Sequence, residues 1–144
     1  MIPTLGQHNV VRAVSFGVFL AFMIPTTVRA ESQSVSMKEL HIQYLSSLAL
    51  VHHIPRSACG GYLTKLTVEP LDSAKKKVRP YLSAEEVPLL ESGYVEQQAA
   101  RAFVKVYENY VPKGLGNKEH KERCMMIIGY LRGRTDSLRD VLSY

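Results

Sequence analysis

The sequence predicts an all-α protein, a small bundle of four to six helices with one disulfide, and three observations point there. From residue 36 onward apolar side chains recur at spacings of three and four, the period of one helical face. Capping patterns and breakers cut these runs into helix-sized pieces: Ser36-Met37-Lys38-Glu39, Pro55, Ser83-Ala84-Glu85-Glu86, Pro112 and Gly133. The two cysteines, Cys59 and Cys124, stand far apart with no Cys-x-x-Cys arrangement, which suits a structural bridge better than redox chemistry. No strand alternation competes, since pairs such as Thr67-Val68 are too short to argue a sheet.

Residues 1–30 read as an export signal. Arg12 precedes an apolar run from Ala13 to Ile24, and Val28 and Ala30 place small residues three and one before a cut ahead of Glu31. That run is about 12 residues, short of the roughly 20 a membrane-spanning helix needs. The expected organisation is therefore a signal peptide, 1–30, and a single helical domain, 31–144, delivered to the periplasm or the extracellular space. Losing Arg12 and Arg29 lowers the net charge from +5 to about +3, too mild for a nucleic-acid partner. Outside the cytosol a disulfide persists. A Cys59–Cys124 bridge closes about 65 residues and contributes roughly 4 kcal/mol in the chain-entropy view.

The elements follow in order. Ser36 caps a first helix carrying Met37, Leu40, Tyr44, Leu45, Leu48 and Val51 on one face, which must end before Pro55. Ser57 can cap a second, with Cys59, Tyr62, Leu63 and Leu66 in helical spacing. Gly60 and Gly61 cost that helix about 1 kcal/mol each, a cost that close packing against the Cys124 helix would justify. Leu71 to Tyr81 reads either as a short helix stopped by Pro80 or as a loop with a basic turn. A helix is expected to begin near Ala84, with a kink around Pro88. The strongest stripe follows: Leu90, Tyr94, Val95, Ala99, Ala102, Phe103, Val106, Tyr107 and Tyr110, expected as the central helix. After a breaker-rich loop, Asn117 caps a helix from Lys118 to Arg132 with Cys124, Ile127, Ile128 and Leu131 inward. Gly133 is expected to end it, and Thr135 or Asp136 to cap a last short helix.

Candidate chemistry is sparse. His52-His53 and His41 lack the His-x-x-x-His spacing of a zinc site, so no metal and no cofactor is expected. No phosphate loop or nucleophile elbow occurs. A thiol enzyme would need a histidine beside Cys59 or Cys124. Tyrosine is more informative, with eight in the chain. Tyr94, Tyr107 and Tyr110 are candidate partner-binding residues because tyrosine is enriched in protein interfaces. The run Lys75, Lys76, Lys77 and Arg79 is a second candidate, either a solvated face or a docking surface for an acidic partner. The expectation is a non-enzymatic binding protein with a protein partner; a periplasmic chaperone or stress protein is the alternative, ahead of a cell-envelope thiol enzyme.

One similarity gives this reading a concrete form. Arg123-Cys124 followed by Tyr130, then Asp136-Ser137-Leu138-Arg139-Asp140-Val141-Leu142, resembles the C-terminal part of periplasmic immunity proteins that neutralise type VI secretion amidase effectors. The resemblance covers the last quarter of the chain and the spacing of the cysteines. It implies a small, exported, helical protein with a disulfide from an early helix to a late one, and a cell-wall-degrading effector as partner. Gly60-Gly61 departs from the pattern, and no effector-contacting residue carries over.

Overall fold

The computed structural model describes residues 35–63 and 65–144; the expected signal peptide, 1–30, lies outside them. Ser36 opens the first helix, α1 (Met37–His53), its hydroxyl accepting from the Glu39 amide at 3.2 Å. Pro55 ends α1 by stepping the chain into a 3-10 turn, Ile54–Arg56. The remaining helices are α2 (Leu71–Val78), α3 (Val87–Glu91), α4 (Tyr94–Tyr110) and α5 (Asn117–Val141). Short 3-10 turns lie at Gly60–Tyr62 and Arg79–Tyr81, and no strand occurs among the described residues. The all-α bundle with one bridge is thus the fold.

The centre of the bundle is α1, where the sequence pattern pointed to the Leu90–Tyr110 stripe. It packs against α2, α4 and α5 together. His41, Tyr44, Leu45, Ser47, Leu48, Ala49, Leu50 and Val51 are all buried, so α1 is enclosed on most of its circumference. Helix α4 shows one buried stripe of Val95, Ala99, Ala102, Phe103 and Val106 and an exposed back. A strong amphipathic pattern marks a helix half in water; a central helix loses that contrast because most of its faces are covered.

Four further expectations are corrected. No second α-helix forms after Ser57: the stretch makes one 3-10 turn, Gly60–Tyr62, and residues 65–70 are neither helix nor strand. Gly60 explains this, because a Cβ there would lie 2.5 Å from the Pro55 carbonyl oxygen. Its close approach is to the turn that ends α1, not to the Cys124 helix, and Gly61 faces open space. The helix expected at Ala84 starts at Val87, which places Pro88 in the first turn, where its missing N–H costs nothing. The Leu90–Tyr110 stripe is interrupted at Gly93, whose φ of 73° is the left-handed conformation glycine tolerates best. Finally, Gly133 does not end a helix: α5 continues to Val141 as a single rod.

The bridge is formed as expected. Cys59 and Cys124 are joined with α-carbons 5.3 Å apart, and both are fully buried. It ties the turn after α1 to the first half of α5.

Candidate functional site

The expected partner-binding residues fall into separate places. Lys75, Lys77 and Arg79 each meet an acid of the chain itself. Lys75 pairs with Glu96 of α4, Lys77 with Glu69 at 2.6 Å, and Arg79 with Glu91 of α3 at 3.0 Å. These contacts hold α2 and its following turn onto the fold, and an acidic partner would have to displace them. Lys76 alone of the four is exposed with no such pair.

Glu69 is the hub of the polar contacts around α2. Its carboxylate accepts from Tyr44 Oη at 2.5 Å and from Ser73 Oγ at 2.7 Å besides pairing with Lys77, and its carbonyl oxygen lies 2.7 Å from His52 Nε2. The segment ahead of α2 is thereby fastened to α1 at Tyr44 and His52. Burial pushes the Glu69 carboxyl up, but the bonds from Lys77, Tyr44 and Ser73 outweigh it and hold it below the usual range. The Tyr44 hydroxyl moves the other way, raised by burial and by the carboxylate it donates to.

Beside this hub lies His41, 2% exposed. Its ring stacks on Tyr81 with centroids 3.7 Å apart, and its Nδ1 is bonded to the Tyr144 hydroxyl. Its Nε2 is buried with no hydrogen-bond partner. The Tyr81 face would attract an imidazolium by about 0.5–2 kcal/mol. Desolvating an unpaired cation costs several kcal/mol. Burial therefore wins, and it holds His41 below the ordinary histidine value.

The histidine a thiol enzyme would need is present as His120, with Nε2 3.8 Å from Cys124 Sγ. Both of its nitrogens are already engaged, Nδ1 with Tyr62 Oη at 2.9 Å and Nε2 with Tyr107 Oη at 2.8 Å. A neutral imidazole has one N–H and one lone pair, so one tyrosine donates to it and the other accepts. With both cysteines in the bridge no free thiol remains. His120 and its tyrosines brace the disulfide, tying the 3-10 turn at Gly60–Tyr62 to α4 and α5.

Tyr107 is thus largely taken up inside the protein, and Tyr94 is half-buried at the start of α4. Tyr110 is different. It is 44% exposed and stands beside Met126 and Tyr130 of α5, which are 57% and 53% exposed. With Val106 and Ile127 below them, these side chains line an apolar dimple of about 150 Å³. Neither Met126 nor Tyr130 is among the partner-binding residues expected from the sequence, although Tyr130 belongs to the stretch that carries the resemblance. The available signal was their i, i+4 spacing on the side of α5 away from Cys124, Ile127, Ile128 and Leu131, where polar residues are expected.

A wider groove runs along another side of α4. Two open depressions of about 600 and 580 Å³ share His53 and Arg56 as lining residues, the first reaching Glu96 and Gln97 and the second Tyr107 and Val111. Burial and the nearby Arg56 charge hold His53 below its ordinary value. Among the described residues no three His, Cys, Asp or Glu side chains converge as a metal site requires, and no helix is long and apolar enough to cross a membrane. Comparison with protein-family models, with curated proteins and with solved structures finds no match for the chain.

Proposed function

We propose that this chain is an exported, non-enzymatic helical binding protein whose protein partner docks at Tyr110, Met126 and Tyr130. The observation that carries the reading is the meeting of three large, exposed, mainly apolar side chains from two helices around one dimple. Tyrosine and methionine are the types enriched in protein interfaces, and an anchor seated in a desolvated pocket supplies much of the affinity of such contacts. The rigid frame beneath supports this role, because Tyr107, His120 and the disulfide fix α4 against α5. In its concrete form the partner is a cell-wall-degrading effector, neutralised in the periplasm by occlusion.

The test is protection. The chain is expressed with its export signal in cells that produce, in the periplasm, a cell-wall amidase encoded beside its gene. The wild type is expected to prevent lysis and to co-purify with the amidase. Met126→Glu and Tyr130→Glu are expected to abolish both while keeping the melting temperature of the wild type. Lysis unaffected by the wild type would overturn the immunity reading. Protection that survives both variants would overturn the docking surface.

A further inference from the structure

We propose that His41 is an acid-operated latch: protonation of its imidazole releases the C-terminal Tyr144 and the Arg79–Tyr81 turn from α1 together. Two segments distant in sequence rest on this one ring, Tyr81 against its face and Tyr144 on its Nδ1. The Nε2 atom is buried and unpartnered. In the neutral ring it can be the bare lone pair, with Nδ1–H donating to Tyr144. A proton from solvent must then occupy Nε2 and leave a charged N–H with no acceptor. If Tyr144 instead donates to Nδ1, the incoming proton takes that lone pair and turns the hydroxyl from donor to acceptor. In both tautomers the charged ring keeps an Nε2–H that nothing in the closed site accepts, and opening the latch gives it water.

The surrounding charges do not rescue the closed state. From α2, Lys77 sits 4.3 Å over the Tyr144 ring and adds positive charge. The Glu69 carboxylate is committed to Tyr44, Ser73 and Lys77. On α1, Tyr44 lies edge-on to Tyr144 with centroids 5.2 Å apart, and Lys38, one turn before His41, is held by Glu86. From α5, Arg139 is near enough to act on the Tyr44 hydroxyl, and the carboxylates of Asp136 and Asp140 are paired with it rather than with His41.

The latched segment closes α5 with a left-handed C-terminal turn. Ser143 adopts φ 57°, a left-handed conformation that non-glycine residues rarely take, while the Tyr144 amide reaches back to the Arg139 carbonyl at 3.1 Å. Two backbone bonds, Ser143 N–H to the Asp140 carbonyl and Tyr144 N–H to the Arg139 carbonyl, hold this turn besides the Tyr144 side-chain anchor, so losing the anchor leaves only these at the end of α5. Tyr81 is already 42% exposed, and the Arg79–Glu91 pair is the other anchor of its turn.

The experiment is amide hydrogen exchange at pH 7 and pH 5, corrected for intrinsic rates, with an NMR titration of the His41 ring. With an open-state value near 6.5, opening at 79–82 and 142–144 is expected to rise by up to about 25-fold over that range. Protection in the middle of α1 and α5 should change far less. In His41→Gln, which cannot titrate, the pH dependence at those amides should vanish. An unchanged wild-type pattern, loss spread evenly over all helices, or the same acid response in His41→Gln would each overturn the latch. If His41→Gln fails to fold, the wild-type titration decides alone: a His41 midpoint at or above 6.5 overturns the proposal, and one well below it sustains it.

Discussion

Ser47 of α1 and Thr135 of α5 face each other across the core with hydroxyl oxygens 2.7 Å apart, and both side chains are buried. Thr135 Oγ1 also donates to the Leu131 carbonyl at 2.8 Å. Its proton is thereby used, so Ser47 donates to it. Removing one partner strands the other in a low-dielectric site, whereas removing both leaves nothing unpaired. Thr135→Val is expected to destabilise by about 1–3 kcal/mol and Ser47→Ala by about 1 kcal/mol. The double variant should cost less than the sum, a non-additivity that urea unfolding of all four proteins measures.

The disulfide separates cleanly from packing. Its ends are 65 residues apart, so replacing both cysteines with alanine is expected to cost about 4 kcal/mol, chiefly by freeing the unfolded chain. Thermal unfolding of the double variant checks the magnitude. Because both sulfurs are buried, native protein without reductant should resist thiol alkylation; rapid labelling would show that the bridge is not the resting state.

Four glycines should respond in opposite directions. Gly60→Ala forces a Cβ into the Pro55 carbonyl, where backbone must move, and should destabilise measurably. Gly129 and Gly133 lie within α5 with nothing within 4 Å of an added Cβ, so alanine there should stabilise by up to about 1 kcal/mol each. Gly61→Ala, also in open space, should be neutral or slightly stabilising. Denaturant midpoints of the four single variants suffice.

Stability should fall on both sides of neutrality. His41 and His53 are held below 6.5 in the folded state. The unfolded chain therefore binds protons that the folded one refuses, and stability is lost as pH drops below about 6.5. Glu69 and Glu86 are also depressed, so a further loss follows as pH falls from about 4.5 through their lower folded values. Tyr44 and Tyr144 are raised. The folded protein keeps their protons above pH 10 while the unfolded chain sheds them, and stability declines there too. A pH series of unfolding free energies for the wild type, His41→Gln and His53→Gln assigns the first limb to its histidines.

Much of the fold was legible residue by residue. The Ser36 cap and the stop before Pro55 were read from local chemistry, as were the inward stripe Cys124, Ile127, Ile128 and Leu131 and the pairing of the two cysteines. The candidate site was legible only at Tyr110. Tyr94 and Tyr107 share its helix, but about 1.5 Å of rise per residue spreads the three along roughly 24 Å. Tyr107 is claimed by His120, which no sequence spacing announces. The basic run looked available because its acids, Glu69, Glu91 and Glu96, lie in other elements.

What the sequence by itself determined is what the chain decides over one or two turns: the helical class, the Ser36 cap and the face of α4 and α5 that turns inward. These depend on the 3.6-residue period and on bonds between neighbours, and both can be read from the order of residues. Only the tertiary structure decided that α1 is central, that α5 passes through Gly133, that Met126 and Tyr130 meet Tyr110, and that His41 is sealed between Tyr81 and Tyr144. The physical reason is that burial belongs to a surface assembled from several elements. A glycine that would end an isolated helix is carried through by contacts such as Thr135 with Ser47, and a histidine's charge state is set by the atoms around it, 40 and 103 residues away along the chain.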